Sequence, residues 1–302
     1  MYNILKHTLY LKMKSLGFYT FLIFEKLISA LPLSLLYKFS DFLYFVLSYI
    51  LKYRKEVVIQ NLKNSFPQKS EEEIKLLRKK YMKIMADLIV ESLKFSKLSN
   101  KKFLKHFEFK NLELLEKLYE NNKSIFVACG HTGSWELSAM VLPLICKHKA
   151  FAIYQPQKNL YFDKYIKKIR GCFGLELLAS QQAYRRFIEN RNLLTINYIL
   201  GDQSPSKDGD NYWTTFLNQE TAFFTGLEKM SKSLGFAVVF LRIVRKSRSN
   251  YLLEFELLTD DAKQTKTGEI SEMYVKALEK LIVEYPENWL WSHRRWKHKR
   301  MN

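Results

Sequence analysis

The residue pair best suited to chemistry is His131 and Glu136, in the run Gly130-His131-Thr132-Gly133-Ser134-Trp135-Glu136. The apolar stretch 124–129 before it ends in glycine, which predicts a buried strand. A Gly-Ser break then opens a helix with a carboxylate in its first turn. On one continuous helix, residues five apart lie about 140° apart and do not meet. With His131 in the strand-to-helix turn and Glu136 in the first helical turn, the two side chains can hydrogen-bond. A carboxylate on one imidazole nitrogen fixes the tautomer and makes the other nitrogen a better base, able to take a proton from a hydroxyl. The helix N-terminus adds backbone N–H groups suited to holding an anion. An arbitrary H-x4-E is weak evidence, because a structural histidine beside a glutamate is the commoner arrangement. Placement at the carboxyl end of a buried strand raises its weight, since α/β sheets bind ligands there. Cys129, in the strand itself, reads as a small buried residue rather than a nucleophile.

Positioning such a pair requires a sheet. Further strand candidates are 150–154, 193–200, 236–244 and 251–258. Helical patterns at 134–145, 159–173, 180–190, 222–234 and 269–284 lie between or after them. This alternation predicts an α/β fold with a mixed, mostly parallel sheet flanked by helices. The polar turn 246–250 is short enough to make 251–258 antiparallel to its predecessor. Residues 59–110 form a helical lead-in. Pro32 suits the first turn of a helix reaching about Tyr53. Ser70 and Glu73 make a capping-box pattern.

The N-terminal block is apolar but interrupted. Residues 15–24, 27–37 and 42–51 are uncharged, and Glu25, Lys26, Lys38 and Asp41 break them. No stretch of about 18 unbroken apolar residues secures a spanning helix. Lys6, Lys12 and Lys14 precede the block and Lys52, Arg54 and Lys55 follow it. Apolar segments rich in Phe and Tyr and flanked by cations favour insertion at an anionic bilayer face over a buried hairpin. The expected organisation is a membrane anchor over 1–58 and one α/β domain over 59–302.

Charge points the same way without choosing a partner. The 302 residues carry 49 Lys and Arg against 30 Asp and Glu, a formal net charge of +19. Such an excess requires anionic partners: a membrane surface, an acidic protein or substrate, or nucleic acid. Three cysteines with no CxxC pair argue against a disulfide framework or a structural zinc site. Basic and aromatic residues mingle in the tail, where Trp289, Trp291 and Trp296 meet five Lys or Arg over 294–302. That pattern also suits nucleic acid. Against a nucleic-acid binder stand the apolar N-terminal block and the lack of any common nucleic-acid module.

At GHTGSWE the sequence resembles the H-x4-D/E motif of the lysophospholipid acyltransferase superfamily, and its Glu form is similar to the lipid A late acyltransferases. Tyr53-Arg54-Lys55, Asn61-Leu62 and Ser65-Phe66-Pro67 resemble the segment that follows the membrane helix in that family. Residues 159–174, ending in Arg170, Gly171 and Gly174, resemble another. Gly201-Asp202-Gln203 is similar to its DQ loop, and Trp291-Ser292-His293-Arg294-Arg295-Trp296-Lys297 to its specific C-terminal tail. The resemblance implies acyl transfer from an acyl thioester, usually on acyl carrier protein or else acyl-CoA, to a hydroxyl of a lipid A precursor. The bacterial inner membrane is the implied location, with the catalytic domain at the cytoplasmic face. His131 would be the general base and Glu136 its orienting partner. Arg170 would contact anionic substrate groups or the developing oxyanion, and Asp202 and Gln203 would order the site. No metal, nucleotide or other cofactor is implied. Gln155 stands where the family typically has Arg, which keeps a glycerolipid or aminolipid O-acyltransferase as the alternative.

Overall fold

The computed structural model describes residues 17–207 and 209–300; Lys6, Lys12 and Lys14 lie outside them. Helix α1 (17–30) leads to α2 (Leu33–Phe45), which Pro32 starts and a π-helical turn extends over Val46–Ile50. Within the described residues, Leu33–Ile50 is one segment long and apolar enough to cross a membrane. Helix α3 (Lys55–Ser65) runs through residue 58, so the division expected there falls inside a helix. Next comes α4 (Glu71–Phe95), started by the expected capping box: Ser70 Oγ accepts from Glu73 N–H, and Glu73 accepts from Ser70 N–H at 2.8 Å.

The sheet-bearing part opens with α5 (Asn100–Leu104), β1 (Phe107–Lys110) and α6 (Glu113–Glu120). It continues with β2 (Ile125–Cys129), α7 (Trp135–Ile145), β3 (Lys149–Tyr154), α8 (Leu160–Arg170), β4 (Glu176–Ala179), α9 (Ala183–Glu189) and β5 (Thr195–Leu200). After β6 (Asn211–Phe216) and β7 (Gln219–Phe224) come α10 (Gly226–Leu234), β8 (Ala237–Ser247), β9 (Asn250–Thr259) and α11 (Glu269–Glu284).

Seven strands form one sheet in the order β1-β9-β8-β2-β5-β3-β4. Every neighbouring pair is parallel except the β8–β9 hairpin, so the sheet is mixed and mostly parallel, as expected. Strands β6 and β7 pair as a separate antiparallel ribbon. The helix expected from 222 therefore begins at Gly226, and 222–224 are strand. Strand β2 is buried along its whole length. Phe126 and Ala128 pack on the α11 side of the sheet, while Val127 and Cys129 pack on the α7 side. A strand covered on both faces shows a continuous apolar run rather than alternation.

Candidate active site

Strands β2 and β5 are parallel neighbours, with Cys129 opposite Leu200. His131 and Asp202 each stand two residues beyond those partners, so the sheet delivers both to one edge. Asp202 Oδ1 lies 2.6 Å from His131 Nδ1, and Asp202 Oδ2 accepts the His131 backbone N–H at 2.8 Å. The indole N–H of Trp289 donates to the same Oδ2 at 2.7 Å. Asp202 is thus a buried carboxylate with three donors, and buried charges persist only when so satisfied. Burial alone would raise its pKa, but the charge of His131 and hydrogen bonds from it and Trp289 outweigh burial and hold it at about 2. Reciprocally, burial pulls the His131 pKa down, and the Asp202 charge and hydrogen bond, helped by the Glu136 charge, carry it above the ordinary 6.5. With Nδ1–H committed to Asp202, Nε2 keeps its lone pair. Gln203 Nε2 caps that nitrogen at 3.2 Å.

Among the described residues no hydrogen bond joins His131 to Glu136. Instead Arg170, the last residue of α8, grips Glu136 with both arms: Nε to Oε2 at 2.6 Å and Nη2 to Oε1 at 2.5 Å. A paired guanidinium–carboxylate fork fixes geometry as well as charge. Glu136 therefore acts on His131 through space, and the carboxylate bonded to the imidazole is Asp202. The positions expected at the site, His131, Glu136, Arg170, Asp202 and Gln203, do gather at one place, but as a His131–Asp202–Gln203 set and a Glu136–Arg170 pair.

The loop between β2 and α7 is held from several sides. Gly133 has φ of +50°, and a Cβ there would meet Ile243 Cγ2 at 2.8 Å and Ile243 O at 3.1 Å. Only glycine fits both constraints. Gly133 N–H donates to Asn288 O at 2.9 Å, and Thr132 bridges Trp289. Tyr274 of α11 donates to Cys129 O at 2.9 Å. The C-terminal tail, singled out in the sequence for its motif, is thus the clamp on this loop. Its anchoring residues Asn288 and Trp289 were not foreseen as site residues; the dense tryptophans of the tail were the available signal. Within the tail, burial depresses the His293 pKa to about 4, and His293 Nε2 accepts from Ser204 N–H at 3.2 Å. That histidine braces the loop after Asp202. Burial raises the Cys129 thiol pKa, so it is no ready nucleophile.

Two apolar cavities flank the site. One, of about 510 Å³, runs between α4 and the start of α7; Leu47, Tyr53, Met85, Leu88, Trp135 and Glu136 are on its walls. The other, of about 270 Å³, lies on the α10–α11 side, with Ala128, Gly201, Phe223 and Tyr274 among its walls. A base whose Nε2 is covered only by the Gln203 amide, an adjoining helix N-terminus and two apolar cavities can bring a long-chain thioester and a long-chain alcohol together for proton-assisted attack.

Comparison with known proteins identifies the family. Residues 5–298 match the family model of bacterial lipid A biosynthesis acyltransferases. The chain is 24% identical over 247 residues to the lipid A biosynthesis palmitoleoyltransferase of Escherichia coli (strain K12), covering 82% of this chain and 80% of that protein. It is also 24% identical over 288 residues to a lipid A biosynthesis acyltransferase of Haemophilus influenzae, covering 93% of this chain and 88% of that one. A lipid A biosynthesis acyltransferase 2 of Shigella flexneri is 22% identical over 241 residues, 80% of this chain and 76% of that one. The chain belongs to the bacterial lipid A biosynthesis acyltransferases and is an O-acyltransferase.

Proposed function

We propose that this family member transfers a fatty acyl chain from an acyl carrier protein thioester to a hydroxyl of a lipid A precursor, with His131 Nε2 as general base. The observation that carries the reading is the 2.6 Å contact between Asp202 Oδ1 and His131 Nδ1, which leaves Nε2 as the ring nitrogen turned to a substrate, while the neighbouring residues Gly133–Glu136 and Gly201 line the two apolar cavities.

In this scheme the acceptor hydroxyl displaces the Gln203 amide from Nε2 and gives its proton to His131 as its oxygen attacks the thioester carbonyl. The carbonyl electron pair moves onto oxygen, where backbone N–H groups of the first turn of α7 stabilise it. Collapse expels the thiolate, which takes the proton from the imidazolium and leaves as thiol. The new ester remains on the lipid. Asp202 holds the tautomer and stabilises the imidazolium, a positioning role. The Glu136–Arg170 pair sets the local field and fixes the first turn of α7. General-base assistance of this kind supplies roughly 10²–10⁴-fold of rate.

Location follows from the same reading. The exposed apolar residues of α1 and α2, with Tyr19, Ile23, Phe24, Leu27, Phe42 and Phe45 uncovered, would enter the cytoplasmic leaflet of the inner membrane, where the acceptor resides. The basic excess would attract anionic headgroups and an acidic carrier protein. The test is transfer by purified protein and its His131→Ala variant, with acyl carrier protein and CoA thioesters offered separately. The proposal expects transfer from the carrier-protein donor, lost in the variant. Equal transfer from CoA removes the donor assignment, and turnover retained by the variant removes the base.

A further inference from the structure

The turn joining α2 to α3, Lys52-Tyr53-Arg54-Lys55, carries charge that the acyl-transfer chemistry does not use. Lys52 and Arg54 both have left-handed backbones, with φ of 46° and 45°. Long side chains seldom adopt this conformation, and such strain collects at functional positions. Arg54 Nη1 donates to Ser292 O at 2.8 Å, which ties the turn to the C-terminal tail. The remaining guanidinium N–H groups and both lysine ammonium groups have no ion-pair partner among the described residues, and all three side chains are exposed. Glu56, the next residue, is the one acid in this stretch, so the turn keeps a net positive charge.

Its surroundings give that charge an address. Immediately before it, Tyr49, Ile50 and Leu51 are more than half exposed, an apolar edge followed directly by cations. That is the order of acyl chains and phosphates across a leaflet surface. Tyr53, between the two strained residues, lines the 510 Å³ cavity, whose far wall is the Gly133–Glu136 turn beside His131. One continuous path therefore runs from the cationic turn, along an apolar cavity, to the candidate catalytic loop.

We propose that Lys52, Arg54 and Lys55 form a phosphate-binding rim that docks the anionic headgroup of the acceptor lipid while one of its chains lies in the cavity towards His131. This rests on the acyl-transfer reading above and adds a specificity-determining site to it. Lysines supply point charges and Arg54 the free side of its fork, so phosphate suits the rim better than a neutral sugar.

The experiment compares the wild type with a Lys52→Gln/Lys55→Gln double variant; Arg54 is kept because it holds the tail. Acceptors are a phosphorylated hydroxyacyl glycolipid and its dephosphorylated form, each in neutral mixed micelles. The rim requires the kcat/KM ratio of phosphorylated to dephosphorylated acceptor to fall roughly ten- to thirtyfold in the variant, through KM. An unchanged ratio overturns it, and if binding to anionic phospholipid vesicles falls meanwhile, the turn serves the bulk membrane instead. Should the wild type acylate neither acceptor, the acyl-transfer reading fails. Micelle binding of the phosphorylated glycolipid by His131→Ala protein, with and without the double substitution, then decides the rim separately: a tenfold loss supports it and equal binding overturns it.

Discussion

Asp202 reaches His131 across two adjacent parallel strands, with its Oδ1 2.6 Å from Nδ1. Glu136, only five residues from the same histidine, is turned to Arg170 instead. The two carboxylates therefore make different demands on experiment.

The pH profile separates them. A general base acts when neutral, so kcat/KM rises with pH through the His131 pKa. That pKa is raised, chiefly by Asp202 and less by Glu136, against the opposing pull of burial. The acid limb of the wild type should lie above 6.5. Asp202→Asn should move it to lower pH and cut kcat by roughly 10²–10⁴-fold, while Glu136→Gln moves the limb less. A larger shift from Glu136→Gln would return the orienting role to that residue.

Stability should depend on pH through the same pair. The folded pKa of Asp202 is about 2, below the usual 3.8, so its contribution is present above pH 3.8 and lost as pH falls through 2. His131 is raised, so its contribution is complete below 6.5 and lost as pH rises through its folded value. Urea midpoints measured from pH 2 to 9 should therefore show both flanks in the wild type. In Asp202→Asn both should flatten; unchanged flanks would mean the pair does not set them.

The Glu136–Arg170 fork should behave as a unit. Glu136→Gln and Arg170→Gln should each lower kcat/KM about tenfold or more, and the double variant should be no worse than the poorer single one. Additive losses in this cycle would show that the two side chains act independently.

Trp289→Phe removes the indole N–H that satisfies Asp202 Oδ2 while keeping an aromatic ring in the buried tail. Loss of a hydrogen bond to a buried charge should cost about 1.5–3 kcal/mol in urea unfolding and lower kcat as well. A variant with wild-type stability and turnover would remove the tail from the support of the site.

Much of this architecture was legible in local sequence. The apolar run before Gly130, the break at Gly133-Ser134 and the capping box at Ser70 each state their element within a few residues. The Asp202–His131 contact was not, because it depends on β2 lying beside β5, whose residues are about 70 positions away along the chain. The Arg170–Glu136 fork was hidden for a similar reason: in isolation the basic face of α8 looks like a solvated surface. The β6–β7 ribbon gave no hairpin signal, since its turn places Leu217 and Asn218 at φ of 50° and 61°, where Asn-Gly or Asp-Gly would be usual. Strand β4, four residues long, is too short to show a period.

Mass spectrometry of lipid A from cells carrying His131→Ala as the sole copy tests the central claim most directly. Lipid A that lacks the mass of one acyl chain, restored by the wild-type gene, is the expected result. Unchanged lipid A, with the variant protein present at wild-type level, would contradict the assignment of His131 as the base of a lipid A acyl transfer.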